Sequence, residues 1–353
     1  MPVITIASSL GSYQADFHAD LGFFSTLKDL PRAYFLFDAR VWELYGPQLA
    51  AFVDPERLLL VPIHEDEKNL TRVEKIYSAL MEKGIRRNFT LVAVGGGILQ
   101  DLVGFAASTL FRGVPWTFVP TTLLAQADSC IGGKTSLNFG RHKNLLGTFW
   151  PPRQIHVSPV FLQTLAEDDY FSGLGEVLKL HLIGGAADMA WFEAHQAALH
   201  RREVAEVLQA TLRALEIKKS YIESDEFDGD ARLLLNFGHC FGHAIESTSD
   251  FRIPHGQAVV AGMLLANTVS VHRGLLSPEA AAPVRATLQH CLVVPPRAAE
   301  LEPAALAAAM GKDKKRTGAG LAAILLHDHD HLAQVQDLSP EEVVQAVDAT
   351  AFS

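Results

Sequence analysis

Cysteine is scarce in this chain, with three in 353 residues, which leaves little room for a disulfide framework. Cys130, Cys240 and Cys291 have neither paired nor metal-type spacing. An odd count without a secretory segment reads as reduced thiols in a cytoplasmic protein. The opening stretch MPVITIASSLGSYQADF lacks a basic region followed by an apolar run, so no signal peptide is expected. Long apolar runs are missing as well. The most apolar stretch, Ala258 to Val271, is interrupted by Asn267 and Thr268 and is too short to span a bilayer. Positive charge is also in deficit, 30 Lys and Arg against 40 Asp and Glu, for a formal charge of −10. That balance excludes an extended nucleic-acid or anionic-membrane surface as the main business of the chain. Any anion site must be built locally from a few cations. No internal repeat at a solenoid period is present either.

What is present is apolar substance, 48% of residues, which suits packed interiors and not a disordered chain. At this length two domains are the natural expectation. In the first half, YFLFD (34–38), RLLLVPI (57–63), FTLVAV (89–94) and WTFVP (116–120) are short apolar runs bounded by turn residues. Helical patterns separate them, and EKNLTRVEKIYSALMEKGI ends on Gly84, a good helix stop. Such alternation predicts a parallel α/β sheet buried on both faces. From about residue 161 long helical patterns dominate, with a late exception, GLAAILL followed by LAQVQDL, that reads as a hairpin. The expected organisation is a Rossmann-like α/β domain over residues 1–160 and a mostly helical domain over 161–353. The tract HDHDH (327–331) at the hairpin connection reads first as a polar tip, and only on composition as a metal tract.

Four constellations could carry chemistry. VAVGGGILQD (92–101) places three glycines between a strand and a helix, where backbone N–H groups and the helix dipole suit a phosphate, although a plain tight turn uses the same residues. Asp38 at a strand end is either a helix cap or a ribose acceptor. PTTLLAQADSCIGGKTSLNFGRHKN (120–144) gathers Asp128, Lys134, Arg141, Lys143 and Asn144 around Gly132–Gly133, a suitable setting for an anionic group. In GLGEVLKLH (173–181), Glu176 and Lys179 share a helical face, the ordinary case being a solvated ion pair. In LNFGHCFGH (235–243), Asn236, His239 and His243 fall on one stripe of an expected helix, extended backwards by Arg232. Glu176, His239 and His255, from separate helices, form the usual donor set of a catalytic divalent metal with an open position.

These motifs, in this order from about Glu65 to Lys315, resemble the sugar-phosphate cyclase superfamily and most closely the 3-dehydroquinate synthase family: GGGILQDLVGF, RGVPWTFVPTTLLAQADSCIGGKTSLN, KNLLGTFWPP, GEVLK, DEFDGDARLLLNFGHCFGHAIE, HGQAV and DKK. The resemblance implies an NAD-binding first domain and a helical second domain holding a divalent metal, zinc before cobalt. The family converts 3-deoxy-D-arabino-heptulosonate 7-phosphate to 3-dehydroquinate and phosphate. The C5 alcohol is transiently oxidised, phosphate leaves by β-elimination, the hydride returns, and an aldol closure follows ring opening. By position, Glu176, His239 and His255 match the metal ligands. Asp128, Lys134, Asn144, Lys179, Lys218, Arg232, Asn236, His243 and one of Lys314 and Lys315 match substrate-binding positions. Of these, Lys134, Asn144, Asn236, His243 and the late lysine belong to the phosphate and Arg232 to the carboxylate. Asp38, Glu65, Lys68, Gly96, Gly97, Asp101, Thr121, Thr122, Lys143, Thr164 and Leu165 match the NAD-contacting set. Arg112 matches an arginine given to a neighbouring subunit's site, which implies a homodimer.

Three departures from the family pattern stand out. Gln257 follows the ligand His255 where Glu is common, and bears on how that histidine is oriented. Gly175 replaces a usual small alanine, and Arg40 stands two positions after Asp38 in place of the polar residue often found there. Two other readings remain open on sequence. One is a secondary-metabolism cyclase acting on sedoheptulose 7-phosphate or glucose 6-phosphate. The other is a metal-dependent NAD polyol or glycerol-phosphate dehydrogenase, against which the cations for phosphate and carboxylate argue.

Overall fold

A computed structural model of the protein describes residues 2–30, 32–140, 142–311, 321–328 and 331–352. The chain divides into two compact units, the first made of 1–165 with 202–227 and the second of 166–201 with 228–353.

The first unit is built on a seven-stranded sheet. Its strands are β1 (Val3–Ile6), β2 (Tyr13–Phe17), β3 (Ala33–Asp38), β4 (Leu58–Val61), β5 (Thr90–Gly95), β6 (Trp116–Pro120) and, after a separate two-stranded ribbon of β7 (Lys134–Phe139) and β8 (His142–Phe149), β9 (Gln154–Val157). The order is β1-β2-β9-β6-β5-β3-β4, parallel throughout except for the edge pair β1–β2. All four apolar runs singled out in the sequence are strands, and they are neighbours in this sheet.

Alternation along each strand sends side chains to opposite faces, and both faces are covered. Tyr34 and Leu36 of β3, Leu91 and Ala93 of β5 and Trp116 and Phe118 of β6 join one core; Phe35, Phe37, Val92, Val94 and Val119 join the other. Helices α1 (Phe24–Lys28) and α2 (Ala39–Leu49) cover the second face. Helices α3 (Leu70–Glu82) and α4 (Gly97–Thr109) cover the first. Each large side chain so buried contributes roughly 1.5–3 kcal/mol. The expected helix stop is as read: α3 is capped by the Asn69 side chain and is followed by Gly84 at φ +74°.

The second unit begins with α5 (Glu167–Ile183) and α6 (Ala186–His200). The chain then re-enters the first unit as α7 (Val204–Ser224), whose Leu215 and Ile222 belong to the sheet's core and whose Glu223 carboxylate accepts from the Ala7 N–H at 2.8 Å. A single cut near residue 160 does not anticipate this return, because α7 resembles its helical neighbours in pattern and only its partners place it. The second unit resumes with α8 (His239–Thr248), α9 (His255–His272), α10 (Pro278–Cys291), α11 (Pro303–Met310), the hairpin β10 (Leu321–His327) with β11 (His331–Leu338), and α12 (Pro340–Ala349). Every residue of α9 from Gly256 to Ser270 is buried, so the most apolar stretch of the sequence is a central core helix. No helix among the described residues is long and apolar enough to cross a membrane. Cys130, Cys240 and Cys291 form no disulfide, and burial pushes the thiols of Cys130 and Cys291 up to about 12.

One titratable pair lies at the end of β2 and β9. His156, 3% exposed, shares a hydrogen bond of 3.0 Å with His18, stacks on Phe23, and has no partner for Nε2. Burial first, then the His18 ring, lowers His156 to about 4. An unfolded histidine near 6.5 therefore binds protons that the folded one refuses, and stability must fall as pH drops from about 6.5 to 4. Urea titrations across that range should show a loss of about 3 kcal/mol that His156→Phe largely removes. An equal pH slope in the variant would show that the pair does not carry it.

Candidate active site and metal centre

Glu176 lies on α5 with 1% of its side chain exposed. Its Oε2 is 2.6 Å from Lys179 Nζ, one helical turn on and equally buried, so this pair is not the solvated one that its spacing suggests. Its Oε1 faces two imidazoles, His239 Nε2 at 3.7 Å and His255 Nε2 at 3.4 Å. Neither carboxylate oxygen has a hydrogen bond of good geometry, a costly state for a buried charge. The three residues come from the three helices α5, α8 and α9 and have donor atoms within 4.8 Å of one another.

Electrostatics agree with a cation site. Burial alone would raise the Glu176 carboxyl, but Lys179 and the two histidines hold it well below the usual carboxylate range. Burial together with Lys179 holds His239 well below its ordinary value. At His255, burial opposes the charge, yet the neighbouring carboxylates of Glu176 and Glu246 outweigh it and push the ring up to about 10. A field that binds a proton this firmly between two carboxylates also favours a metal cation there. The donor set, one carboxylate and two imidazoles, suits zinc or cobalt.

The backbone around these residues departs from the expected continuous helix. Residues Ala231–Asn236 form a 3-10 turn, Phe237 is extended, Gly238 is left-handed at φ +76°, and α8 starts at His239. Arg232 and Asn236 are thus not on the same helix as His239 and His243. The break has a packing cause and a chemical effect. A Cβ on Gly238 would lie 2.7 Å from Val259 O and 2.5 Å from the Met263 side chain, so the turn can press onto α9 only as glycine. It also leaves the Phe237 carbonyl 3.2 Å from His239 Nδ1, an acceptor that directs Nε2 towards Glu176. Between α5 and α9 the contact is tighter still. A Cβ on Gly175 would lie 2.5 Å from Gly256 O, so glycine in place of the usual alanine sets the approach of Glu176 to His255 in this chain.

Gln257 proves to have a different part from the one suggested by its place beside His255. It is fully buried, donates to Phe171 O at 2.9 Å and Cys291 O at 3.0 Å, and accepts from Val293 and Val294 N–H. This amide braces the start of α9 and points at backbone, away from the imidazole. A carboxylate would set its oxygens against two carbonyls.

His243, exposed, stands beside both imidazoles that face Glu176, with ring centroids 5.4 Å from His239 and 5.8 Å from His255. Asn236 donates to Leu233 O, and buried Arg232 has Asp228 at 4.0 Å. Lys314 and Lys315 lie outside the described residues, as does Arg141. So do His329 and Asp330 of the HDHDH tract, and among the described residues the metal-type groupings are at Glu176, His239 and His255 and at His243, Glu246 and His255. Glu246 was missed by sequence reasoning, although it follows His239 and His243 at helical spacing in GHAIE.

In the first unit, Asp38, Gly96, Gly97, Thr121 and Thr122 gather at the carboxyl ends of the adjacent strands β3, β5 and β6. This is the side on which open α/β sheets bind ligands. Helix α4 has Gly96 as its N-cap with no side-chain cap, so its first N–H groups remain available to an anion. A Cβ on Gly96 would lie 2.9 Å from the Thr122 methyl, which marks a close-walled cradle fit for a dinucleotide phosphate. Asp38 Oδ1 caps α2 through the Arg40 N–H at 2.8 Å. Thr164 is engaged with the Tyr45 hydroxyl at 2.9 Å, and Leu165 follows it at the end of the turn 159–164. A separate network forms around buried Lys68, whose Nζ reaches Asp101 at 3.1 Å, Asn144 at 2.6 Å and Glu65 at 3.8 Å. Ser136 adds bonds to Asp101 and Asn144, which ties the β7–β8 ribbon to α4. Lys134 and Lys143 are exposed on that ribbon. Asp128, in a π-helical turn over Ala125–Ser129, receives Lys218 of α7 on Oδ1 at 2.8 Å and on its carbonyl at 2.6 Å. Arg112 is exposed after two left-handed residues' worth of turn, with Phe111 at φ +51° and itself at φ +65°.

Sequence comparison decides the family. The 3-dehydroquinate synthase N-terminal model matches residues 58–172 and the C-terminal model matches residues 173–316. The chain belongs to the 3-dehydroquinate synthase family. A 3-dehydroquinate synthase from Syntrophotalea carbinolica is 40% identical over 281 residues, 78% of this chain and 77% of that relative. Among solved structures, 2-epi-5-epi-valiolone synthase from Streptomyces hygroscopicus, with NAD+ and Zn2+ bound, is 30% identical with a TM-score of 0.85, covering 97% of each chain. A 2-deoxy-scyllo-inosose synthase complexed with carbaglucose-6-phosphate, NAD+ and Co2+ shares the fold at 21% identity, with a TM-score of 0.81 over 99% of this chain and 100% of that one. The expected α/β sheet domain followed by helices is thus the fold of these dehydroquinate synthase-like cyclases.

Proposed function

We propose that the protein is a 3-dehydroquinate synthase, a phosphate-eliminating carbon–oxygen lyase. It converts 3-deoxy-D-arabino-heptulosonate 7-phosphate to 3-dehydroquinate and phosphate with no net redox change. The observation that carries this reading is the Glu176 carboxylate, buried, ion-paired on one oxygen to Lys179 and faced on the other by His239 and His255. Family membership supports it, as does a relative of that name at 40% identity.

NAD and a divalent metal, zinc foremost and cobalt as the alternative, are the cofactors: the first supplies a hydride acceptor and donor, the second a Lewis acid for the alcohol. Glu176, His239 and His255 hold the metal. The Gly96–Gly97 turn and the N-terminus of α4 hold the dinucleotide phosphates, and Asp38 is left at the strand end for the ribose. Lys134, Asn144, Asn236, His243 and one lysine of the Lys314–Lys315 pair bind the leaving phosphate, Arg232 the carboxylate, and Asp128, Lys179 and Lys218 the remaining oxygens. His243, exposed beside both metal-ligand rings, is placed to move a proton at the phosphate.

A related cyclase acting on sedoheptulose 7-phosphate or glucose 6-phosphate is the second reading, favoured by the likeness to the valiolone synthase. Buried Arg232 does not exclude it, because Asp228 already stands near the guanidinium. Phosphate release decides. With NAD present, the heptulosonate should release phosphate at a rate at least about 100-fold above either neutral sugar phosphate, without NADH accumulating. Release from sedoheptulose 7-phosphate or glucose 6-phosphate alone would transfer the assignment to the second reading.

Homodimerisation, with Arg112 entering the neighbouring site, completes this reading, and it is supported by the exposure and left-handed backbone of that residue. Arg112→Ala should lose at least about 10-fold in kcat/KM, a loss of about 1.4 kcal/mol in transition-state binding. Mixing it with an inactive His243→Ala chain should restore part of the activity. Mixed dimers no more active than either parent would remove Arg112 from a shared site.

A further inference from the structure

We infer that Glu246 is the positioning residue for His255, fixing which ring nitrogen this histidine presents to the metal. The inference rests on Glu176, His239 and His255 being the ligand set. Their imidazoles offer two nitrogens each, and only one per ring can enter the site. In His239 the matter is settled by backbone, since Nδ1 lies against the Phe237 carbonyl. His255 has no such carbonyl for Nδ1; what it has is the Glu246 Oε2, at 3.3 Å, while its Nε2 lies 3.4 Å from Glu176 Oε1. The two carboxylates therefore sit on opposite edges of one ring. A carboxylate oxygen accepts and cannot donate, so Glu246 keeps a proton on Nδ1, and a metal bound beside Glu176 and His239 would take the place of the proton on Nε2.

Placement on the helix makes this arrangement rigid. Glu246 follows His239 and His243 on one face of α8, so one helix carries a ligand and also the group that aims a ligand of α9. The glycine contacts between α8 and α9 keep these groups in register. A Cβ on Gly262 would lie 2.1 Å from Gly238 O, and one on Gly242 would lie 3.1 Å from Ala258 O. The carboxylate is mostly covered, its side chain 16% exposed. Its negative charge thus reaches the imidazole with little solvent screening and makes the ring a stronger donor. Glu246 also falls within a second grouping with His243 and His255, in which it would itself be a ligand. That arrangement would require His255 to turn Nδ1 to the metal and abandon Glu176, whose Oε1 would lose one of its two facing imidazoles.

The test is metal affinity, measured on the full chain by competition with a chelator for zinc and by the absorption of the cobalt-loaded protein. Glu246→Ala should weaken zinc binding by roughly 10- to 100-fold. Glu246→Gln retains an oxygen that accepts from Nδ1 but no charge, and should lose several-fold less than the alanine variant. At saturating cobalt both variants should keep the wild-type band positions, because the three ligands are unchanged. Zinc affinity within twofold of wild type in both variants would overturn the inference, and so would cobalt spectra that show a ligand lost in Glu246→Gln. His239→Ala separates the two levels of the argument. Wild-type zinc affinity in that variant would remove the ligand set itself, whereas a large loss there with none in Glu246→Ala removes the positioning role alone.

Discussion

The structure of the second unit depends on one buried carboxylate. Glu176 keeps its charge inside a helical core because Lys179 neutralises one oxygen and two imidazoles face the other. Breaking such a buried arrangement by removing one partner typically costs 3–5 kcal/mol. The geometry around Glu176 is therefore constrained as strongly as the apolar packing that surrounds it. Three helices must meet at this point, and the sequence provides for the meeting with glycines at the crossing points instead of large interlocking side chains. Gly175 against Gly256 brings α5 to α9, and Gly238 against Gly262 brings the start of α8 to the same helix. Close backbone approach is thus the means by which the Glu176 carboxylate and the two imidazoles converge.

The first unit follows a different logic. Its sheet is buried on both faces, and its polar residues collect where the strands end. The turn after β5 has no side-chain cap on α4, and the residues at the neighbouring strand ends are short or acidic. Lys68 shows how a single buried cation organises the rest, tying α4, the turn before α3 and the β7–β8 ribbon through Asp101, Glu65 and Asn144. Lys218 performs a comparable task for α7, because its contact with Asp128 draws a helix that follows α6 in sequence back to the sheet.

How much of this was legible in the sequence varies with the range of the interactions. Four adjacent parallel strands, β3 to β6, were visible because each is a short apolar run bounded by turn residues. The grouping of Glu176, His239 and His255 was visible because Glu, His and His in those motifs are a chemically specific donor set. The continuous helix expected from Arg232 to His243 was wrong, since periodicity does not register that Gly238 must turn left-handed to let the chain press on α9. Glu246 was overlooked for a related reason: its partner His255 lies on the next helix, and pairing across helices leaves no local pattern. Gln257 drew attention by sitting next to a ligand, but its four hydrogen bonds go to backbone that only folding brings near. Return of α7 to the first unit was equally hidden, because an amphipathic helix reveals that it has an apolar face and not which core that face joins.

The central claim is that the Glu176 carboxylate, His239 and His255 are collected to hold one divalent cation. Anomalous diffraction at the zinc edge, on crystals of the protein purified without added chelator, tests it most directly. One strong peak should lie about 2.0–2.2 Å from Glu176 Oε1 and from Nε2 of His239 and His255. A peak bound instead by His243 and Glu246, or no metal near Glu176 in zinc-supplemented crystals, would contradict the account.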